Sequence, residues 1–474
     1  MTSDPTSGRS SRQRATLAAM LVLVLGACTA HYPVNAPLDA AAKAEDYTLA
    51  GLETARRSDD LLLIVAFSGG GTRAAALAYG VLETLADTTV RIDGRERRLL
   101  DEVDIISSVS GGSFTAAYFG LYGDRIFQDY ETKFLTRSVQ SGLESRLFSP
   151  VEWVKLGSSH YDRSDMAADY YDELLFEGKT FRDLYDSGGP LVAINATDIG
   201  IGDQFTFIGT QFAPICSDLM SYRVSRAVTA SSAVPGPFTS IVMKNYAGSC
   251  GYKLPAWATA ALRERDITNR SYHQARRLSS YLDVETRPYI HLFDGGISDN
   301  LGVRPLLDIA FAEGDIWHKL KAIDLTSTSK LAVIVVDAQH AIDNSFDQRD
   351  VALSLVESVE TSSGVPLSRY SFETLELLRG NLGRWQKSIT AGRCGEKRGS
   401  ASTGGSAPGD DCAARTYLAE VSFEAVPEKA TREHLRALPT SLDLKREDVM
   451  LLRKTARTVL EKSRGFQELV QDLR

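Results

Sequence analysis

Apolar runs of strand length recur along this chain, and several are followed by small residues and then a helical stretch. "LLLIVAF" (61–67) is unbroken, as suits a strand covered on both faces of a parallel sheet. A glycine cluster follows, then "TRAAALAYGVLETLAD" (72–87), which reads as a helix. "EVDIIS" (102–107) predicts a second strand and "FTAAYFGLYG" (114–123) a second helix. Further strands are predicted over "GPLVAINATD" (189–198), "QFTFIG" (204–209), "YIHLF" (289–293) and "LAVIVVDA" (331–338). A helix stopped by its prolines is predicted over "RVSRAVTASSAVPGPF" (223–238). Strands alternating with helical segments predict one α/β sheet with crossover helices. Residues 240–288 are polar and aperiodic, 349–389 look helical, 416–426 alternate as a late strand, and 446–470 close the chain as a helix.

The N-terminus breaks this pattern. Arg9, Arg12 and Arg14 precede "LAAMLVLVLGAC" (17–28), an apolar run too short for the roughly 20 residues of a membrane-spanning helix. A positive start, a short apolar centre and a small-residue cleavage site predict a signal peptide over 1–27. "LGAC" (25–28) resembles the lipobox of bacterial lipoproteins, which implies cleavage before Cys28 and a diacylglycerol on its thiol. Several acyl chains hold a protein on a bilayer durably where one does not. The expectation is an envelope lipoprotein with a tether over 28–58. Thr29 after the cysteine, rather than Asp, leans toward the outer membrane, facing the periplasm, by resemblance to lipoprotein sorting rules.

Export changes how the cysteines read. With Cys28 set aside, Cys216, Cys250, Cys394 and Cys412 form an even set for an oxidising compartment. Pairing by sequence neighbours gives 216–250 and 394–412; the second closes a Gly/Ser-rich loop over 395–411 and is worth about 3 kcal/mol in the chain-entropy view. No Cys-x-x-Cys or paired His spacing supports zinc, and no metal or cofactor is expected. The formal net charge of −8 argues against nucleic acid as the main partner, because phosphate binding needs clustered Lys and Arg. Nothing in the sequence identifies a protein partner.

Three motifs carry chemistry. In "DIISSVSGGSFTAAYFG" (104–120) a buried strand breaks into small residues around Ser110. A strand-to-helix elbow exposes a serine in a strained conformation and needs small residues two before and two after, here Ser108 and Gly112. Gly111 adds an amide that can face a developing oxyanion. In "FSGGGTRAAALAYG" (67–80) Gly69, Gly70 and Gly71 stand between a buried strand and a helix start, an anion site by its amides and dipole. The Gly-Lys-Ser/Thr of a P-loop is missing, with Arg73 in its place, so an oxyanion hole is the better use. In "HLFDGGISDNLGVRP" (291–305) Asp294 ends a strand before two glycines. Alternation puts His291 and Asp294 on opposite faces, so His291 is expected to be a core histidine rather than a partner of the carboxylate.

Ser-Gly-Gly-Gly-x-Arg, an elbow serine and Asp-Gly-Gly in this order resemble the patatin-like phospholipase family over about 60–305. "RAVTASSAVPGPF" (226–238) also looks like that family's Ala-Ser-x-Ala-x-Pro segment. The resemblance implies a three-layer α/β/α fold with helical C-terminal additions and a Ser–Asp dyad without histidine. Ser110 matches the nucleophile, Asp294 the acid/base, Gly69 to Gly71 the oxyanion loop, and Arg73 an arginine that positions or stabilises charge. Ser108 and Ala74 depart from glycines usual in the family. The implied activity is hydrolysis of phospholipid or related acyl esters at an envelope membrane, with the catalytic domain over 59–345, an insertion at 240–288 and an extension over 346–474. Two rivals remain: a silent lipid- or partner-binding protein on the same fold, and a Ser110–Asp294–His340 triad.

Overall fold

The computed structural model describes residues 35–39, 47–51, 57–158, 161–312, 315–339, 350, 352, 355–400 and 412–474. Cys28, His340, the predicted signal peptide and most of the 395–411 loop lie outside the described residues. The strands are β1 (Leu61–Phe67), β2 (Thr89–Ile92), β3 (Arg95–Arg98), β4 (Val103–Val109), β5 (Leu191–Asp198), β6 (Asp203–Phe207), β7 (Ile241–Lys244), β8 (Tyr289–Asp294), β9 (Lys330–Asp337) and β10 (Arg415–Ser422). The helices that bear on the site are α1 (Gly71–Asp87), α2 (Gly111–Tyr122), α3 (Val139–Leu147), α4 (Pro150–Leu156), α5 (Arg163–Tyr171), α6 (Val224–Ser231), α7 (Leu355–Ser400) and α8 (Arg446–Lys462).

Eight strands form one mixed sheet, while β2 and β3 pair as a separate hairpin. β10, β9, β1, β4 and β5 run parallel in that order, and β1 and β4 are buried at every position. Continuous burial is what their unbroken apolar runs require, since a parallel strand has helices over both faces. β5 then takes three partners. β4 pairs with Leu191–Asn195, antiparallel β6 with Ile194–Asp198, and antiparallel β8 with Ala196–Asp198. A strand has two edges and β6 overlaps both of the others, so β4 and β8 share one edge of β5. They run toward each other along it. Val109 ends β4 opposite Asn195 and Asp294 ends β8 opposite the next residue, Ala196.

The last third of the chain is built into this body. β10 pairs with β9 along its whole length. α8 crosses α1 at Gly80, where an added Cβ would stand 2.8 Å from Ala456 Cβ and from Arg453 Cα. Arg453 then bridges Glu83 of α1 and Glu131. Cys216–Cys250 and Cys394–Cys412 are joined as disulfides, with Cα separations of 5.5 and 5.1 Å.

Two stretches differ from their sequence reading. The polar segment from 240 opens with β7, a sheet strand paired to β8, followed by helices Ala256–Glu264 and Arg270–Ser280. The Asn245 amide ties it closed through Tyr281 O at 2.7 Å and Arg287 O at 3.0 Å. A four-residue strand is too short to show a period. α7 passes through Pro366 and continues to Ser400, into residues whose Gly/Ser composition suggests a loop. Once a helix is nucleated, each added residue costs little.

The Gly80 crossing sets a stability expectation. Gly80→Val forces α8 away from α1 and is expected to destabilise the protein by about 1–3 kcal/mol, read as a lower urea midpoint.

Candidate active site

Ser110 is the hinge residue between β4 and α2. Its φ of 48° and ψ of −120° lie where a non-glycine residue is strained, and the turn must therefore be held from outside. Ser231, at the end of α6, does this. Its hydroxyl donates to Asn195 O at 2.6 Å, and so accepts the Ser110 amide at 2.8 Å; Ser113 Oγ stands 3.0 Å away. The same residue's carbonyl accepts the Gly295 amide at 3.0 Å. One serine thus fixes the turn after β4 and the turn after β8.

The head-to-head strands bring the reactive groups together. Ser110 Oγ donates to Asp294 Oδ2 at 2.8 Å, and the Gly296 amide donates to Asp294 Oδ1 at 2.8 Å. Among the described residues no histidine bonds either oxygen. Both side chains are buried. Burial pushes the Asp294 carboxyl up to about 6, against the Gly296 amide and the Ser110 hydroxyl, which hold it down. The Asp294 amide is anchored on Ala233 O at 3.0 Å and its carbonyl on Thr197 Oγ1 at 2.8 Å.

Glycine at the next positions is a steric necessity. A Cβ on Gly111 would collide with Gly71 O, and one on Gly112 would stand 2.7 Å from Phe67 Cβ and Ser68 O. The N-termini of α1 and α2 can therefore approach backbone to backbone beside Ser110, presenting two positive dipole ends to one point. The amides of Gly70, Gly71 and Gly111 have no acceptor among the described residues. Gly69 differs from its predicted role: its amide is already spent on Asn300 O at 3.0 Å. Ser108, where the family's elbow glycine is usual, turns its hydroxyl sideways to Ala193 O at 3.4 Å.

Arg73 is fully buried and points its donors at the chain, not at a ligand. Nε donates to Ala338 O at 2.8 Å, Nη1 to Leu438 O, and Nη2 to Thr440 Oγ1 at 3.1 Å. Burial pushes its pKa down to about 10, with the Asp337 carboxylate resisting. The segment it grips, 438–441, crosses the triple-glycine loop, where Ser441 O accepts the Thr72 amide at 2.9 Å and occupies the space a Gly71 side chain would need. Arg73 is thus a positioning residue acting through that strap.

His291 corrects another expectation. It is on the opposite face from Asp294, as alternation requires, but that face is exposed, and Nδ1 lies 3.2 Å from Ser240 Oγ. It is no core histidine, because β8 beyond β5 is covered on one side only. The sequence reading assigned no role to Ser231, Asn195 or Asn300. Asn195 donates to Ser107 Oγ and Ser108 O and accepts from Gln204 and Thr206. Its signal was a polar residue inside the apolar run "LVAINATD". Among the described residues no group of three or more His, Cys, Asp or Glu side chains converges as metal ligands do.

The sequence model described as Patatin-like phospholipase matches residues 65–307. Of solved structures, human GIVD cytosolic phospholipase A2 is similar at a TM-score of 0.46 and 11% identity, over 88% of this chain and 62% of that one. Its complex with methyl gamma-linolenyl fluorophosphonate is similar at a TM-score of 0.41 and 12% identity, over 88% and 59%. This chain therefore spans less than two thirds of the length of those structures. No curated protein matches it.

Ser231→Ala removes the acceptor that holds the elbow. It is expected to lower kcat about ten- to a hundredfold with little change in KM, because a displaced nucleophile costs rate before it costs binding. Steady-state kinetics on one acyl ester checks this.

Proposed function

Because the chain belongs to the patatin-like phospholipase family, we propose that it is a serine acyl hydrolase cleaving ester bonds of phospholipids or related lipids through Ser110 and Asp294. The observation that carries this reading is the direct 2.8 Å bond from the Ser110 hydroxyl, on a strained elbow, to the Asp294 carboxylate.

The chemistry follows from the contacts. As Ser110 Oγ attacks the ester carbonyl carbon, its proton passes to Asp294 Oδ2 along the existing hydrogen bond. Charge moves onto the carbonyl oxygen, toward the Gly70, Gly71 and Gly111 amides at the two helix N-termini. When the intermediate collapses, the C–O bond breaks and the leaving alcohol takes the proton from Asp294. The acyl group is left on Ser110. Water then attacks that ester, giving its proton to Asp294, and the fatty acid leaves as Ser110 is reprotonated. Asp294 alternates between base and acid, which an ordinary aspartate near pKa 3.9 does poorly at neutral pH. A carboxyl pushed up to about 6 by burial is better matched to both jobs.

The same reading holds the protein at a bacterial envelope membrane by a lipid on Cys28, which supports delivery to ester substrates lying there. The support is "LGAC" after a basic, apolar leader. No helix among the described residues is long and apolar enough to cross a membrane. Labelled palmitate incorporated by wild type and not by Cys28→Ser checks the anchor.

A fluorophosphonate probe is expected to label Ser110 and to leave Ser110→Ala unlabelled; a folded wild type that takes no label would favour the silent binding protein. Product analysis on mixed phospholipid vesicles then names the bond cut. Asp294 serves as base only when ionised, so kcat/KM is expected to rise with pH through about 6 and level above it. Stability runs the other way. The folded pKa exceeds the unfolded one, so the stabilisation associated with the protonated carboxyl is full below about pH 4 and lost as pH rises through 6. Asp294→Asn is therefore expected to abolish turnover yet raise the melting temperature above pH 6, with no gain near pH 4.

A further inference from the structure

α4 is turned inside out relative to an ordinary surface helix. Its one carboxylate, Glu152, is only 7% exposed, whereas Val151, Trp153 and Val154 are 67, 61 and 79% exposed. Phe148, just before it, is 73% exposed. Large apolar side chains scattered singly over a surface are ordinary, but four within seven residues form a patch that a water-facing helix has no reason to carry. Lys155 pairs with Glu152 at 2.9 Å while its own side chain stays 46% exposed, so the outward face shows the ammonium and hides the acid.

The patch is linked to the site through its neighbours, beginning with α3, on which α4 packs. α3 and α5 pack so closely at Gly142 that a side chain there would strike the Tyr170 ring, and α5 packs against α6, which carries Ser231. At the near end of α3, the Gln140 amide donates to Leu442 O at 3.2 Å, one residue past the carbonyl that holds the oxyanion loop. Ser138 Oγ also reaches Asp443 Oδ2 at 2.7 Å. On the other side, Ser164 Oγ donates to Thr239 O at 2.7 Å, at the base of the exposed apolar loop Val234–Pro237. That loop directly follows Ala233, whose carbonyl anchors Asp294. Ile297, three residues beyond Asp294, is also exposed.

We infer that the outward face of α4, with Phe148, is the surface by which this protein lies on a phospholipid bilayer, orienting the Ser110–Asp294 site toward lipid. The inference rests on the acyl-hydrolase reading only for the substrate's location. A bilayer is the occupant this chemistry fits. Its interface accepts a Trp ring whose N–H is already satisfied by Leu147 O at 2.6 Å, exposed branched aliphatic side chains beside it, and a half-exposed lysine near anionic headgroups. A lipid hydrolase whose nucleophile is buried also needs its rim against the phase that holds its substrate.

Phosphatidylcholine–phosphatidylglycerol vesicles with brominated acyl chains test it on the full chain. Tryptophan emission is expected to be quenched in wild type and the quenching largely lost in Trp153→Phe; equal quenching in both overturns the inference. The same measurement in Ser110→Ala is expected to match wild type, so the docking result stands or falls apart from the hydrolase reading. Phe148→Ser/Val154→Ser is expected to hydrolyse vesicle phospholipid about tenfold more slowly and a soluble short-chain ester at the wild-type rate. Equal loss on both substrates overturns it, since those side chains would then be supporting the fold. A sedimentation mass of two chains that falls to one in the double variant also overturns it, making the occupant a second copy.

Discussion

Two strands that run toward each other along one edge of β5 are the constraint from which the rest of the site follows. β4 ends opposite Asn195 and β8 opposite Ala196, so the turns that leave them are pressed together. A serine hydroxyl and an aspartate carboxylate 184 residues apart in sequence become neighbours at 2.8 Å because backbone ladders bring their strands there. Ser231 locks the junction by holding the amide of one turn and, through its carbonyl, the amide of the other. An arrangement held by main-chain bonds leaves the two side chains little freedom to drift, which is what the proposed proton transfer between them would require.

The crowding has an energetic consequence. A carboxylate shut away from water is disfavoured in its charged form, and only the Gly296 amide and the serine hydroxyl offset this. The fold therefore keeps Asp294 in a state it would shed if stability alone were at stake. The backbone of Ser110, with positive φ, is a second such strain. Both sit at the point where α1 and α2 begin, and no side chain at Gly71 or Gly111 could be admitted between those helices. Strain, burial and dipoles are concentrated in one small volume, with the cost spread over the surrounding sheet.

The C-terminal third belongs to that support. Its strap over 438–441 takes up two donors of Arg73, which leaves that arginine the positioning half of the role the family resemblance implies. α8 presses the middle of α1 at Gly80, and its Arg457 pairs with Asp87, the last residue of α1. α1, which begins at Gly71, is thus held at its start and along its length by chain that lies outside residues 65–307. α3, tied by the Gln140 amide to Leu442 O just past the strap, leads into the helix whose apolar face is turned outward.

How much of this was legible in the sequence differs from element to element. The unbroken runs at 61–67 and 102–107 announced buried parallel strands, because full burial selects apolar residues at every position. The glycine turns beside Ser110 and Asp294 stood out because close backbone approach at a strand end admits only small residues. β7 was not, since four residues are too few to show a period; Ser231 is the serine of the Ala-Ser-x-Ala-x-Pro segment at 230–235, but its partners lie far away in sequence and gave it no role there. What the sequence by itself determined was local: which segments are strands, where small residues are compulsory, and which polar side chains stand at strand ends. Only the tertiary structure decided which edge of β5 each strand would take, that Gly69's amide is already occupied, that Arg73 clamps the C-terminal strap, and that His291 faces outward. Those outcomes depend on contacts between residues distant along the chain, and such contacts leave no periodic trace in either partner.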